Sequence, residues 1–144
     1  MTDILLDLQK ILRINLNTII NQNINVIINN RLKQGVRGWS YFPSVIEIAP
    51  DIDDLGQIMQ MLYKSNNTKY LQDECFPLVD FVKENCIQKD GGILTWLIPI
   101  ENQNSIQKIQ KKFNVEKWGE GPDVEAVANL IYSLQLLNNK SYDN

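Results

Sequence analysis

Three aspartates crowd into a single helical turn, in the segment Asp51-Ile52-Asp53-Asp54. Carboxylates this close repel one another when all are ionised, so we expect the pKa of at least one of them to rise. A carboxyl group that keeps its proton near neutral pH and faces a dry cavity can protonate an alkene or an epoxide. Two alternatives stay open: a Mg²⁺ or Ca²⁺ site built from hard oxygen ligands, and a solvated helix start without chemistry.

The composition removes other kinds of chemistry. The 144 residues include no histidine, which excludes Ser-His-Asp and Cys-His nucleophiles, imidazole acid–base catalysis and His-ligated zinc. A net charge of -3 argues against nucleic-acid binding, because phosphate contacts need a basic surface. Cys75 and Cys86 lie roughly 16 Å apart along one predicted helix, too far for a disulfide, and are expected to be small buried hydrophobic residues.

The composition and the N-terminal sequence indicate a globular protein of the cytoplasm. Hydrophobic residues make up 44% of the chain and charged residues 22%, as in ordinary soluble domains. The N-terminus lacks the basic-then-apolar pattern of a signal peptide, and no apolar run approaches the ~20 residues of a transmembrane segment. We therefore expect a cytoplasmic protein with one helical domain over residues 1–144 and no membrane span.

The elements that must position the aspartates are predicted to be helices. Apolar residues recur at three- and four-residue spacing through most of the chain, which indicates an all-α fold. The predicted helices cover residues 3–34, a segment starting at Pro50-Asp51, residues 69–88 with a kink at Pro77, residues 105–113, and a segment starting at Pro122-Asp123. Residues 93–99 read as an apolar, extended stretch, and the polar tail from Asn138 is expected to fray.

Two loop-to-helix junctions share the same sequence features. A Gly/Trp element precedes a Pro-Asp helix start in both, and a third Gly/Trp element follows the middle helix: Arg37-Gly38-Trp39 before Pro50-Asp51, Lys117-Trp118-Gly119 before Pro122-Asp123, and Gly91-Gly92 to Trp96. Proline and aspartate are typical of helix starts, and tryptophan often packs a loop onto a core. The repetition nevertheless places the same residue types beside both acidic helix starts.

At these residues the chain resembles the class II terpene cyclases, specifically the squalene-hopene cyclase branch. The similar segments are, in order, Gly38-Trp39-Ser-Tyr41-Phe42…Pro50-Asp51-Ile52-Asp53-Asp54, then Phe81-Val82…Gln88-Lys-Asp-Gly91-Gly92…Trp96, then Trp118-Gly-Glu-Gly-Pro-Asp123-Val124-Glu-Ala126. They resemble the family's Gly-aromatic…Pro-Asp-x-Asp-Asp-Thr-Ala element, its Gln/Trp repeat and its Asp-Val-Thr-Ala-His element. The likeness runs over about residues 27–137 and corresponds to a middle segment of the full enzyme. Protein prenyltransferase β subunits, which share the same toroid, are a weaker match.

The resemblance implies a partial α/α toroid of four to five helices with long Gly/Trp loops. It also implies cyclisation of an isoprenoid started by a carboxylic acid, with no metal ligand or other cofactor. Asp53 would be the proton donor, with Asp51 and Asp54 tuning it. The residues implied to bind the substrate, through cation–π contacts in the case of the aromatic ones, are Trp39, Tyr41, Phe42, Trp96, Trp118 and Asp123.

Three positions depart from the family pattern. Leu55-Gly56 occupies the position of the family's Thr-Ala, and Val127 occupies the position of its His. Three residues separate Gly92 from Trp96, where the family has one. The family's enzymes are also several times longer, so this chain cannot enclose a polyprene alone. We therefore expect a homo-oligomer or a companion subunit. The alternative functions are a non-catalytic toroid-derived module that binds an isoprenoid or a protein partner, and an unrelated small helical protein.

Overall fold

The computed structural model describes residues 2–139, and the expectation of an all-α protein is confirmed for them. They form six helices when the continuous run from 68 to 85 is counted once. The elements are α1 (Thr2–Leu12), α2 (Asn17–Asn29), α3 (Ile52–Lys64), α4 (Thr68–Tyr70) with a π-helical turn (Leu71–Cys75) and α5 (Phe76–Asn85), α6 (Ser105–Trp118) and α7 (Val124–Asn139). Extended pairing within this range is limited to two isolated bridges. The toroid stays a prediction.

The N-terminal region is two helices, so the prediction of one helix over residues 3–34 was wrong. α1 ends at Leu12, and Arg13 adopts a φ of 53°, a left-handed conformation that is incompatible with a continuing right-handed helix. The side chain of Gln9 spans the break, since its Oε1 accepts a hydrogen bond of 2.6 Å from the N–H of Leu16. The segment around this break is rich in isoleucine and asparagine and contains no glycine or proline. The residues that most often signal a helix end are therefore missing from the sequence here.

The later helix boundaries follow the sequence more closely. α3 and α7 each begin directly after the predicted Pro-Asp pair. The π-helical turn lies just before Pro77, which has no N–H to continue the ordinary hydrogen-bond ladder. α6 continues past the predicted end at Phe113, as far as Trp118. α7 extends to Asn139, and the rest of the predicted polar tail lies outside the described residues.

α3 lies at the centre of the core, and α7 packs along it in the same direction. The contacts between them advance in step: Asp53 with Asn129, Gly56 with Leu130, and Met59 with Ser133. A Cβ atom on Gly56 would lie 2.9 Å from the carbonyl carbon of Asn129, so glycine permits this close approach. The parallel arrangement brings the N-termini of both helices, with their acidic residues, to the same end of the protein.

Both cysteines are free and buried in the core, which confirms the expectation that they act as small hydrophobic residues. Burial raises the pKa of Cys75 and of Cys86 to about 12, so both remain thiols at neutral pH. None of the helices within residues 2–139 has the combination of length and apolar character that spanning a membrane requires.

Candidate functional site

An open cleft of about 600 Å³ lies where α3 and α7 begin. It brings together five of the nine predicted site residues, from both loop-to-helix junctions and from the extended stretch: Asp51, Asp53, Trp96, Trp118 and Asp123. Its other lining residues are Gln57, Thr95, Gly119, Glu120, Gly121, Pro122, Glu125, Ala126 and Asn129.

The extended stretch holds the two junctions together. On one side, the N–H of Leu97 donates to the carbonyl of Pro50 over 2.8 Å, and the carbonyl of Thr95 accepts from Ile52 over 2.9 Å. On the other side, the hydroxyl of Thr95 accepts from the N–H of Asp123 over 2.8 Å and donates to the carbonyl of Gly121 over 3.1 Å. Thr95 therefore sets the spacing between the two acidic helix starts.

Asp51 is the N-cap of α3 and is largely shielded from solvent by the extended stretch, with which it forms a β-bridge at Trp96. One of its carboxylate oxygens accepts a hydrogen bond of 2.7 Å from the N–H of Asp54. Burial, followed by the nearby charge of Asp54, raises the pKa of Asp51 from its usual value near 3.8 to about 7. A raised pKa was expected for at least one of the crowded carboxylates, and the pKa of Asp51 is raised, although burial contributes more to the rise than crowding does.

Asp53 faces the cleft as a hydrogen-bond acceptor on both oxygens. Oδ1 accepts from the side-chain amide of Asn129 over 2.6 Å, and Oδ2 accepts from the amide of Gln57 over 2.8 Å. The bond to Asn129 links the first turn of α3 to α7. With both oxygens already accepting amide N–H groups, Asp53 suits an acceptor role in this geometry.

Asp54 points elsewhere, and it is not among the residues that line the cleft. Its Oδ2 is buried and accepts no hydrogen bond from the described part of the chain. Burial, followed by the charge of Asp53, raises the pKa of Asp54. Within residues 2–139, no group of three or more acidic or cysteine side chains is arranged to hold a metal ion, so the three aspartates do not converge on a Mg²⁺ position.

Trp96 and Trp118 form an aromatic pair on the cleft wall. Their ring centroids lie 5.3 Å apart with a tilt of 42°, and Phe113 packs edge-on against Trp118 at 6.0 Å. Trp118 remains 57% exposed, so part of its ring is available to a ligand. The negative faces of these rings can stabilise a positive charge next to the carboxylates.

The remaining predicted aromatic residues lie away from the cleft. Trp39 is buried in the core, where its Nε1 donates to the carbonyl of Ile27 over 2.9 Å and the guanidinium of Arg31 lies 5.0 Å from its ring centroid. Tyr41 and Phe42 form an edge-to-face pair at 4.9 Å on an exposed loop. The structure therefore gives Trp39 a packing role and does not bring these three residues to the aspartates.

The cleft is strongly acidic, which sequence reasoning only partly anticipated. Five carboxylates line it, and no basic side chain does among the described residues: the five are Asp51, Asp53, Glu120, Asp123 and Glu125. Glu120 forms an ion pair of 3.0 Å with Lys111, which lines an apolar pocket of about 100 Å³ that shares Trp96 with the cleft. Sequence reasoning missed Thr95, Glu120 and Asn129, because only the packing of distant segments places them here.

Comparison with protein-family models, with curated proteins and with solved structures gave no match to this chain.

Proposed function

We propose that this chain is the acid-bearing part of an isoprenoid cyclase, in which a carboxylic acid of the cleft starts the cyclisation of a polyprene. The observation that carries the proposal is the shared cleft, where Asp51 and Asp53 line the same space as Trp96 and Trp118. This combination would supply both requirements of the reaction. The acid provides a proton for an alkene, and the ring faces stabilise the carbocation that follows.

The resemblance implies Asp53 as the proton donor, but the local hydrogen bonds favour Asp51 for that role. Both oxygens of Asp53 accept amide hydrogen bonds, whereas burial raises the pKa of Asp51 to about 7. In the proposed step, the O–H bond of Asp51 breaks and its proton adds to one alkene carbon. The neighbouring carbon becomes a cation, which the next alkene attacks. Loss of a proton from the last cation to the Asp51 carboxylate restores the acid, so the reaction needs no co-reactant.

The proposed activity requires a further element to close the cleft. Trp118 is 57% exposed, and Asp123 and Glu125 are also exposed, so water reaches the site in the isolated chain. A carbocation in contact with water would be captured before it could cyclise. Further chain or a companion subunit would therefore complete the cavity.

The second candidate is a non-catalytic module that binds an isoprenoid or a protein partner. The polarity of the cleft favours the protein partner over the isoprenoid within this candidate, because five carboxylates suit an apolar chain less well than an aromatic cavity would. Val127, at the position of the family's histidine, offers no partner for a catalytic acid.

The test is to incubate the purified chain with a panel of polyprenyl substrates, alone and together with the products of its neighbouring genes, and to analyse extracts by gas chromatography and mass spectrometry. We expect a cyclised product whose yield falls at least about 100-fold in Asp51→Asn, because a general acid contributes on the order of 10²–10⁴-fold. Asp80→Asn, which changes an exposed aspartate paired with Lys83 on α5, is the matched control and should keep full yield.

Two results would contradict the catalytic proposal. One is the absence of a product from every combination, and the other is a product whose yield Asp51→Asn leaves unchanged. Retention of a radiolabelled polyprene by the chain without conversion would support the second candidate.

A further inference from the structure

The apolar pocket of about 100 Å³ that shares Trp96 with the cleft has no part in the function proposed above. Six apolar residues form most of its wall: Leu94, Trp96, Ile98, Pro99, Ile100 and Val115. Two charged residues also line it, Lys111 and Glu120, and they pair with each other over 3.0 Å. Transfer of an apolar group from water into a space with this lining is favourable.

The volume of this pocket limits the size of the group that it can hold. An apolar cavity of about 150 Å³ binds benzene, so a space of about 100 Å³ fits a group of roughly four or five carbon atoms. Each methylene that leaves water on binding raises the affinity about four-fold. A small branched alkyl group therefore fills the pocket and gains affinity from it.

The charges next to the pocket determine which head group the ligand carries. Trp96, Glu120 and Gly121 line both the pocket and the cleft, so the two spaces adjoin. Five carboxylates line the cleft, where the described part of the chain places no basic side chain, and the ammonium of Lys111 is already paired with Glu120. An anionic head group would meet like charges here. An ammonium would meet opposite charges and the ring faces of Trp96 and Trp118.

We propose that the pocket and the adjoining side of the cleft bind a small hydrophobic amine. Its alkyl group occupies the pocket, and its ammonium lies in the cleft beside Glu120 and Trp96. The pocket excludes a bare cation as the preferred ligand, and the carboxylates exclude a carboxylic acid. This inference does not rest on the cyclisation proposed above, because binding is measured without turnover, and a failure of either proposal leaves the other standing.

The first test is an NMR titration of the ¹⁵N-labelled full chain at pH 7 with 3-methylbutylamine and three analogues. 3-Methylbutan-1-ol lacks the charge, 3-methylbutanoate reverses it, and methylamine keeps the ammonium without the larger alkyl group. We expect the amine to move the amide signals of Ile98 and Ile100 in the pocket wall and to bind at least about five-fold more tightly than each analogue. Equal affinity for the amine and any analogue, or no binding of the amine up to about 50 mM, overturns the proposal.

The second test changes the two parts of the site separately. Val115→Phe adds bulk to the pocket wall and should weaken binding of 3-methylbutylamine at least about ten-fold, whereas Val26→Phe, the same change at an exposed position of α2, should not. Glu120→Gln should weaken binding of the amine about three-fold and leave binding of 3-methylbutan-1-ol unchanged. Glu116→Gln, at an exposed position of α6, is its control.

Far-UV circular dichroism verifies that each variant is folded. Glu120 is exposed, so its pair of variants decides the outcome if Val115→Phe does not fold. An effect no larger than that of the control, in either pair of folded variants, overturns the proposal.

Discussion

The junctions that start α3 and α7 share a Pro-Asp pair whose aspartate accepts hydrogen bonds from the first turn, but their surroundings differ. Asp51 accepts from the N–H of Asp54, and Asp123 accepts from the N–H groups of Glu125 and Ala126 over 2.9 and 3.0 Å. The extended stretch covers Asp51, whereas Asp123 is exposed. A Pro-Asp pair therefore determines where each helix begins, and the distant segment that packs over Asp51 raises the pKa of that aspartate.

Asp51→Asn should produce the largest effect, because it removes the half-buried acid and keeps an oxygen that caps the helix. The pKa of Asp51 is raised to about 7 in the folded protein, so the folded state binds more protons than the unfolded state between pH 4 and 7. The contribution of Asp51 to stability is therefore largest below pH 4 and is lost as the pH rises through 7. Urea unfolding measures the effect at pH 4 and pH 8. The free energy of unfolding of the wild type should decrease by about 2–4 kcal/mol between these pH values because of Asp51, and this decrease should be absent in the variant.

The matched control is the same change at the exposed cap. Asp123→Asn leaves Asp51 in place, so the loss of stability with rising pH should remain. If the two variants show the same dependence on pH, the burial of Asp51 has no energetic consequence and the contrast between the junctions does not hold.

Gly56→Ala should have the next largest effect, since it disturbs the packing that keeps the two junctions side by side. The new methyl group would meet the backbone of Asn129 and Leu130 at about 3 Å, and backbone cannot rotate away as a side chain can. We expect a loss of about 1–3 kcal/mol in the free energy of unfolding, measured in urea at pH 7. Ala128→Leu, which adds bulk at an exposed position of α7, should change it by less than about 0.5 kcal/mol. An unchanged stability in Gly56→Ala would contradict the close parallel packing.

Asp123→Ala should have the smallest effect of the three, because it removes an exposed cap whose hydrogen bonds water can replace. We expect a loss of about 1 kcal/mol, measured by the same urea unfolding at pH 7. Asp123→Ser keeps a capping oxygen without a charge and should recover most of this loss. A failure of serine to do so would indicate that the charge of Asp123, rather than its hydrogen bonds, stabilises the start of α7.

Local features of the sequence were sufficient for the helix starts and the buried cysteines. Proline at a fixed φ followed by an aspartate acceptor specifies a helix N-terminus without reference to the rest of the chain, which is why the starts of α3 and α7 were predicted well. Cys75 and Cys86 followed from periodicity alone. The presence of Asp51, Asp53 and Trp118 in one cleft also agrees with the sequence analysis, although their roles stay a prediction.

Features that depend on distant packing were not accessible in this way. The break at Arg13 is spanned by a hydrogen bond between the side chain of Gln9 and the backbone of Leu16, and no glycine or proline there announces it. Trp39 shares its Gly-Trp context with Trp118, yet it is held in the core by Ile27 and Arg31. Asn129 and Asp53 are 76 residues apart in the sequence, and they meet only because α3 and α7 pack in parallel.

The distribution of the three tryptophans gives this protein an optical reporter of its own. Trp39 is 4% exposed in the core, while Trp96 and Trp118 both line the cleft. Indole emission shifts and dims when its surroundings change, so a ligand entering the cleft would alter two of the three fluorophores and leave the third as an internal reference. Occupancy of the cleft can therefore be followed by intrinsic fluorescence, without a label and before any chemistry is known.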